Sequence, residues 1–164
     1  MKTYFTVIFL LSMGLVACHK RATESASDDR IISVDSENTE MNAAIEKARS
    51  SLPLFWKTFA NPMHGECDFN LKVRVTAPEG TEHFWCSDIK RDDTRISGII
   101  NNDAKTVTTV HLGQRIDITT EQITDWLYIS DGKMVGNYTV RPLLHKMTQE
   151  EASEIKARLA ELPE

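Results

Sequence analysis

The sequence predicts an α+β domain with an N-terminal helix, an antiparallel and strongly twisted sheet of about five strands, and a C-terminal helix. Three parts of the hydrophobic pattern predict this class. Apolar residues recur every three or four positions from Glu40 to Leu52. They alternate with polar residues from Phe69 to Thr76, and helical spacing returns after Thr148. Because a period of 3.6 indicates a helix and a period of two a strand, the sheet should lie between the helical parts of the chain.

The N-terminal helix is predicted over about residues 40–50, where the apolar residues share one face. Pro53 should kink or restart it, because proline lacks the N–H that a helix interior needs. Ser51 is then the expected N-cap of a second piece that reaches Asn61. The aromatic residues of this second piece are predicted to lie in the core.

Six later segments have strand character, and a sheet of about five strands is expected from them. They cover residues 69–76, 82–89, 95–101, 114–118, 126–130 and 133–140. Turn residues at 78–80 predict a hairpin between the first two segments. A capping box of Thr148 and Glu151 opens the last helix. The apolar face of that helix carries Ala152, Ile155, Leu159 and Leu162.

The N-terminus is predicted to be an export signal. Residues 5–17 are almost entirely apolar, and about 13 residues are too few to cross the hydrocarbon core of a membrane. The run ends in Leu15, Val16, Ala17 and Cys18, which resembles the lipobox of bacterial lipoproteins. The resemblance implies a signal peptide over residues 1–17 and a lipid anchor on Cys18. The alternative is an ordinary secretory signal in which Cys18 has no special role.

The residues after the anchor predict a location and a tether. His19 stands where lipoproteins retained in the inner membrane carry aspartate, so the resemblance favours the periplasmic face of the outer membrane. Residues 18–39 are mostly polar and predict a lipidated, flexible tether, about 25 Å long on average for a random coil. In the alternative interpretation, the apolar residues Ile31, Ile32 and Val34 add an edge strand to the sheet. Residues 40–164 are then the folded domain.

The chain is acidic, with 19 Lys and Arg against 24 Asp and Glu and a formal net charge of -5. Loss of residues 1–17 removes only Lys2, which leaves 18 against 24 and a net charge of -6. Nucleic-acid binding needs clustered Lys and Arg, so no nucleic acid is expected as a partner. No cofactor is expected either. The expected partners are the membrane, through Cys18, and a periplasmic protein or small ligand.

The two remaining cysteines raise the question of a disulfide. An exported pair, Cys67 and Cys86, favours a disulfide, with two separate thiols as the alternative. A hairpin that turns at Glu79 opposes the bond, because it sets the two residues roughly 17 Å apart along the strands. A zinc site is the other alternative, since His64 with Cys67 and His83 with Cys86 repeat one spacing. His83 and Cys86 are three residues apart on a strand, however, and should point to opposite faces.

One polar and aromatic group is a candidate binding surface, because aromatic and Arg side chains are typical of binding patches. Its members are Asp125, Trp126, Tyr128, Asn137, Tyr138 and Arg141. The alternative is structural, with Asp125 capping a turn and Trp126 filling the core.

The sequence favours a non-enzymatic interaction or ligand-binding module, and an immunity-type inhibitor of a periplasmic toxin is one version of it. It contains no nucleophile elbow, no helical metalloprotease motif, no phosphate loop and no Cys-x-x-Cys pair. The alternative is a small periplasmic enzyme that uses His111, Asp125 or His145.

Several separate elements, in order, resemble one bacterial family. They are Met41–Arg49, Glu82–Trp85, Gly98 with Asn101 and Asn102, Gly113, Ile123–Trp126 with Tyr128, and Gly136–Thr139 with Arg141. Together they resemble the YegJ-like family, domain of unknown function 2314, over about residues 40–162. The resemblance implies a domain but no activity. Cys86 departs from the family pattern, where an aliphatic residue is expected, and this raises the question of a special local role for its thiol.

Overall fold

The computed structural model describes residues 39–162. The predicted signal peptide (1–17), Cys18 and the cluster at 31–34 lie outside the described residues. The elements in chain order are α1 (Thr39–Ser50), α2 (Leu52–Ala60), β1 (Cys67–Ala77), β2 (Gly80–Arg91), β3 (Ile96–Ile100), β4 (Arg115–Ile118), a short 3₁₀ turn (Thr120–Gln122), β5 (Ile123–Ser130), β6 (Lys133–Gly136), a long 3₁₀ segment (Tyr138–Lys146) and α3 (Gln149–Arg158). Between residues 39 and 162, no helix has both the length and the apolar character that a membrane crossing requires.

The sheet is antiparallel throughout and has the strand order β4-β3-β2-β1-β5-β6. The predicted α+β class is confirmed, although the sheet has six strands rather than about five. The predicted hairpin is confirmed as well, because Ala77 pairs with Gly80 across the turn. β1 lies inside the sheet, between β2 and β5, and its inner side chains, such as Leu71 and Val73, are fully buried.

The break between α1 and α2 lies where Pro53 predicted it, in the first turn of α2. Ser51 occupies the N-cap position, but its side chain makes no cap hydrogen bond. Its hydroxyl instead donates backwards, to the carbonyl oxygens of Lys47 at 2.8 Å and Ala48 at 3.1 Å. The residue therefore terminates α1, and the prediction that its side chain caps α2 is wrong.

The core lies between the two N-terminal helices and one face of the sheet. Phe55 of α2 is fully buried at its centre, so the predicted core role of the α2 aromatic residues is confirmed there. Its ring lies 4.9 to 6.1 Å from four other aromatic rings, those of Trp56, Phe59, Phe69 and Trp126. Fully buried Phe84 and Cys86 extend the same layer across β2.

The predicted strand at 133–140 is too long. β6 ends at Gly136, and both Gly136 (φ 86) and Asn137 (φ 50) adopt the left-handed conformation that turns the chain away from the sheet. A Cβ atom on Gly136 would come within 2.4 Å of the Trp126 carbonyl oxygen, so only glycine allows this close approach. The Tyr138–Lys146 stretch then forms the long 3₁₀ segment, which packs against α1.

The last helix begins as predicted and ends earlier. The capping box is confirmed: the Glu151 N–H donates to the Thr148 hydroxyl at 3.3 Å, and the Thr148 N–H donates to the Glu151 carboxylate at 2.9 Å. α3 ends at Arg158, so Leu159 and Leu162 do not belong to it. Leu159 instead forms a parallel bridge with Met134, which ties the C-terminal segment to the outer edge of β6.

Candidate functional site

Most of the predicted binding surface lies in the core. Asp125 and Trp126 are 0% exposed, Tyr138 is 4% exposed and Tyr128 is 7% exposed. Of the six predicted residues, only Asn137 and Arg141 retain partial exposure. The prediction of a docking surface formed by these residues is therefore wrong for the four buried ones. The physical reason is that other segments cover β5: Trp126 packs against Phe55 of α2, and the start of the long 3₁₀ segment hydrogen-bonds to Asp125.

Asp125 holds the start of the long 3₁₀ segment. One carboxylate oxygen accepts hydrogen bonds from the N–H groups of Trp126 (2.8 Å) and Tyr138 (3.0 Å). The other accepts from the N–H (2.7 Å) and the hydroxyl (2.6 Å) of Thr139. Burial raises the pKa of Asp125, and the hydrogen bonds from Thr139 oppose that rise. Asp125 therefore has the structural role that was the alternative to binding: its carboxylate fixes a turn.

Trp126 joins the sheet to the N-terminal helices. Its indole N–H lies 2.9 Å from the Ala48 carbonyl oxygen and 3.2 Å from the Ser51 hydroxyl oxygen, and it donates to both. The ring is stacked on Tyr128, with centroids 5.8 Å apart and an interplanar angle of 10°. Both contacts use the side chain for packing, so Trp126 is not available to a partner.

A second buried carboxylate, Glu82, was not singled out by sequence reasoning. Its oxygens accept hydrogen bonds from the backbone N–H groups of Lys105, Thr106 and Val107 at 3.0 to 3.1 Å. Although burial acts in the opposite direction, these hydrogen bonds lower the pKa of Glu82. Its position in the strand could have indicated this role. Glu82 shares the inner face of β2 with Phe84, and a buried acid needs hydrogen-bond donors close by.

Cys86 is a free and fully buried thiol, so the predicted Cys67–Cys86 disulfide is wrong. Cys86 lies opposite Leu71 in the β1–β2 register, whereas Cys67 lies at the start of β1 opposite Ile129. Four residues of strand separate Leu71 from Cys67, or about 13 Å, which exceeds the reach of a disulfide. Burial raises the pKa of the Cys86 thiol to about 12, so the special role of Cys86 is to fill the core.

The alternative zinc site is not assembled. His83 is exposed on the face of β2 opposite to buried Cys86, and His64 lies in an exposed loop before β1. Partial loss of hydration on the sheet face and the positive charges of Lys72 and Arg74 lower the pKa of His83. Within residues 39–162, no group of three or more His, Cys, Asp or Glu side chains has the arrangement of a metal site.

The residues of the alternative enzyme hypothesis are not brought together. The loop of exposed His111 adjoins β3, and Asp125 lies on β5, three strands away across the sheet. At about 4.8 Å per strand this separation is roughly 14 Å, too long for a hydrogen bond. His145 is exposed near the end of the long 3₁₀ segment. Both oxygens of Asp125 already accept hydrogen bonds from backbone N–H groups.

The structure does form one concave site next to the predicted residues, here called the α1 cleft. It has a volume of about 320 Å³ and lies between α1, the long 3₁₀ segment and the C-terminal stretch. Its lining residues are Glu40, Ala43, Ala44, Lys47, Tyr138, Arg141, Pro142 and Leu162. Two of the predicted binding residues, Tyr138 and Arg141, therefore line a cleft, although the predicted surface as a whole does not exist.

Two residues that line the α1 cleft each carry a buried polar atom without a hydrogen-bond partner, the Tyr138 hydroxyl and Arg141 Nε. Burial raises the pKa of Tyr138 and lowers that of Arg141. The Ser51 side chain lies near the hydroxyl and opposes the rise in the pKa of Tyr138, but the two groups lack hydrogen-bond geometry. The other end of Arg141 is held, since its Nη2 donates to the carbonyl oxygen of Ala160 at 2.8 Å.

Comparisons with known proteins give a family and no activity. The chain is 34% identical over 135 residues to the uncharacterized protein YegJ of Escherichia coli (strain K12), covering 82% of this chain and 87% of that protein. It is 27% identical over 135 residues to a putative ankyrin repeat protein of Neisseria meningitidis serogroup B. That match covers 77% of this chain and 53% of the Neisseria protein, so the chain spans about half of that relative. No solved structure matches the chain.

The match to a family model covers residues 38–160, which include every helix and strand described above. The family resemblance inferred from the sequence is thereby confirmed. The chain belongs to the bacterial family described as "Uncharacterized protein conserved in bacteria (DUF2314)".

Proposed function

We propose that this chain is a lipid-anchored protein on the periplasmic face of the outer membrane, and that its folded domain binds a partner or small ligand without catalysing a reaction. An immunity-type inhibitor of a periplasmic toxin is one concrete version. The lipobox that ends at Cys18 supports the anchor. Two or more acyl chains on that residue would make the attachment effectively permanent.

The lining of the α1 cleft is the observation that carries the binding role. Two of its lining residues carry a buried hydroxyl and a buried Nε–H without partners, and Lys47 and Arg141 supply positive charge. Its lining residues include no Ser, Cys or His, the side chains that most often form a nucleophile and base pair. Such a set of groups can hold and orient a ligand, which is what a binding site requires.

The way the fold uses its buried carboxylates supports the same role. Glu82 and Asp125 are the acidic side chains buried among residues 39–162. Each accepts hydrogen bonds from backbone N–H groups of an irregular segment. A carboxylate engaged in this way stabilises the fold and is not free to transfer protons during a reaction.

One relative adds support for an interaction role. The Neisseria protein is named as a putative ankyrin repeat protein. Ankyrin repeats stack into extended concave surfaces that bind other proteins. A domain of this family combined with such repeats suits a protein that recognises partners.

Metabolic labelling with palmitate tests the anchor. We expect the full chain to incorporate label and to sediment with outer membranes, while a Cys18→Ala variant is unlabelled and soluble in the periplasm. Equal labelling or equal fractionation of the two proteins would contradict the proposed anchor.

Affinity capture from envelope extract tests the binding role. Ala43 is exposed on α1 and lines the α1 cleft, so Ala43→Trp should fill the cleft without disturbing the core. Glu46→Trp places the same side chain on an exposed part of α1 that does not line the cleft. We expect a partner or ligand to remain with the wild-type and Glu46→Trp proteins and to be lost from Ala43→Trp. Recovery of nothing by the wild-type chain would contradict the proposed role.

A further inference from the structure

We infer that the α1 cleft binds the carboxylate of a small organic acid with a short apolar body. This inference rests on the proposed binding role and adds the chemical class of the ligand. It does not depend on the lipid anchor. The juxtaposition that carries it is two buried donors without acceptors, on Tyr138 and on cationic Arg141, beside Lys47 and four apolar residues.

The two unpaired buried groups are a hydroxyl, which can donate, and an N–H, which can only donate. Buried polar atoms in folded proteins nearly always have partners, so two neighbours that lack them indicate a missing acceptor. Tyr138 is 4% exposed, so its hydroxyl has no access to solvent water as an acceptor. An acceptor with two oxygens, such as a carboxylate, matches two donors.

The charge of the cleft favours an anion. Lys47 and Arg141 contribute two positive charges to the lining, against one negative charge from Glu40. This local excess of positive charge stands in a chain whose formal net charge is -5. A cationic cleft in an acidic protein attracts anions to that place and not to the surface as a whole.

The guanidinium group of Arg141 is bonded at one nitrogen and has no partner at another. Its Nη2 donates to the Ala160 carbonyl oxygen at 2.8 Å and, at 3.4 Å, to that of Gly136. These bonds fix one end of the guanidinium group and leave Nε without an acceptor. Because Nε is covered in the unliganded structure, binding must shift the Arg141 side chain. The environment of Nε is therefore the most direct indicator of occupancy.

The size and the remaining walls limit the ligand. A volume of about 320 Å³ is near the lower end of the range for small-molecule sites, roughly 300 to 1,000 Å³. The apolar lining residues are Ala43, Ala44, Pro142 and Leu162. A short apolar body, such as one aromatic ring or a short alkyl chain, fits beside these side chains, with the carboxylate directed to the donors.

Benzoate and its neutral isostere benzamide provide the test, with the full chain in a nonionic detergent. The readout is the Nε–Hε signal of Arg141 in ¹H–¹⁵N NMR spectra, assigned through an Arg141→Lys variant. We expect a saturable shift of this signal with benzoate and at least tenfold weaker binding of benzamide. Equal binding of the two compounds, or an Nε signal that does not respond to benzoate, would overturn the inference. Tighter binding of phenyl phosphate than of benzoate would overturn the assignment to a carboxylate.

Two exposed lysines give matched variants for the same titration. Lys47→Gln removes a charge from the α1 cleft, and Lys57→Gln removes one from exposed α2, outside the cleft. We expect benzoate binding to weaken at least tenfold in the first variant and to change less than twofold in the second. An equal effect of both substitutions would contradict the site. Tyr138→Phe removes only the unpaired hydroxyl and should also weaken binding.

The two proposals can fail separately. If benzoate does not bind but the wild-type chain still captures a partner that Ala43→Trp loses, only the ligand class is wrong. If benzoate binds as expected but no partner or ligand is recovered from envelope extract, the proposed role fails and the site remains.

Discussion

Glu82 and Asp125 are buried carboxylates that hold backbone N–H groups outside the helices and strands. Glu82 fixes the loop that follows β3, and Asp125 fixes the start of the long 3₁₀ segment. In both places an irregular segment needs acceptors that its own backbone does not provide. Each side chain therefore decides the path of a segment distant from it in sequence.

Replacement of Asp125 by Asn should destabilise the domain by about 1 to 3 kcal/mol, because the amide nitrogen cannot accept from the N–H and hydroxyl of Thr139. Urea unfolding followed by tryptophan fluorescence measures the change. Asp131→Asn is the control, since Asp131 is exposed at a turn with a φ of 49 that asparagine tolerates. An effect of Asp125→Asn as small as that of the control would contradict the role assigned to the carboxylate.

Glu82 should make stability depend on pH. Its pKa is lowered from 4.5, so its contribution to stability is present above that value and is lost as the pH falls through the lower folded-state pKa. The difference in unfolding free energy between wild type and Glu82→Gln should be constant from pH 7 to 5. It should shrink below about pH 4.5. Urea unfolding at several pH values measures this, and a difference that grows at low pH would contradict it.

The buried thiol of Cys86 should be unreactive in the folded protein. Its pKa of about 12 leaves almost no thiolate at pH 8, and the sulfur is covered by the core. Iodoacetamide should modify Cys86 in urea and not in native buffer, as judged by mass spectrometry of the peptide that contains it. Modification at equal rates in both conditions would show that the residue is accessible.

At the scale of single residues, the sequence indicated which side chains matter to the domain better than it indicated what each of them does. Asp125 and Trp126 were singled out correctly as a polar and aromatic pair, but the surface role was wrong because α2 covers Trp126 and the long 3₁₀ segment covers Asp125. A pattern within one strand does not show which distant segments cover its two faces. Glu82 was missed for a related reason, since its donors lie about 25 residues later, in a loop without a periodic pattern.

At the scale of elements, the sequence predicted most of the helices and strands because their periods are regular. The break at Pro53, the hairpin and the capping box were all visible as local signals. The shortened β6 was not, because its end depends on the contact between Gly136 and the Trp126 backbone. The α1 cleft could not be predicted either, since it joins three segments from opposite ends of the domain.

The end of β6 should not tolerate a side chain on Gly136. A Cβ atom there would lie 2.4 Å from the Trp126 carbonyl oxygen, and the φ of 86 is unfavourable for alanine. Gly136→Ala should therefore cost at least about 2 kcal/mol of unfolding free energy, from strain and steric overlap together. Gly113→Ala is the matched control, because Gly113 has a φ of 81 but nothing within 4 Å of the Cβ position.

Urea unfolding of the two alanine variants separates steric overlap from backbone strain. Gly113→Ala should lose only the strain of a left-handed alanine, about 1 to 2 kcal/mol. Equal losses in the two variants would show that the contact with Trp126 contributes nothing. A loss in Gly136→Ala smaller than in Gly113→Ala would contradict the close approach itself.

At the scale of the whole molecule, folding depends on contacts between distant parts of the chain. β1 pairs with β2 through a short turn but also with β5, and the Trp126 indole reaches the carbonyl of Ala48, 78 residues earlier. The N-terminal helices and the first four strands therefore lack Trp126, a fully buried part of their core, until β5 joins them.

A chain that ends at Gln122 should not fold. It keeps α1, α2 and β1 to β4 but lacks Trp126, so the apolar faces of α2 and β1 remain uncovered. Circular dichroism during urea titration should show no cooperative transition for this chain. A chain that ends at Leu162 should retain the transition of the full-length protein. A cooperative transition in the shorter chain would show that the first four strands form an independent unit.

The pairing of β1 with β5 also sets the order in which the core can form during the proposed export. A translocated chain would emerge with its N-terminus first, so Phe55 would leave the membrane well before Trp126, which packs against it. During that interval the aromatic face of α2 and the inner face of β1 are open to water, to proteases and to other unfolded chains. If the chain is exported as proposed, envelope proteases would meet it in this open state during the passage of residues 55 to 126, while an anchor at Cys18 would hold the unfinished chain close to the bilayer.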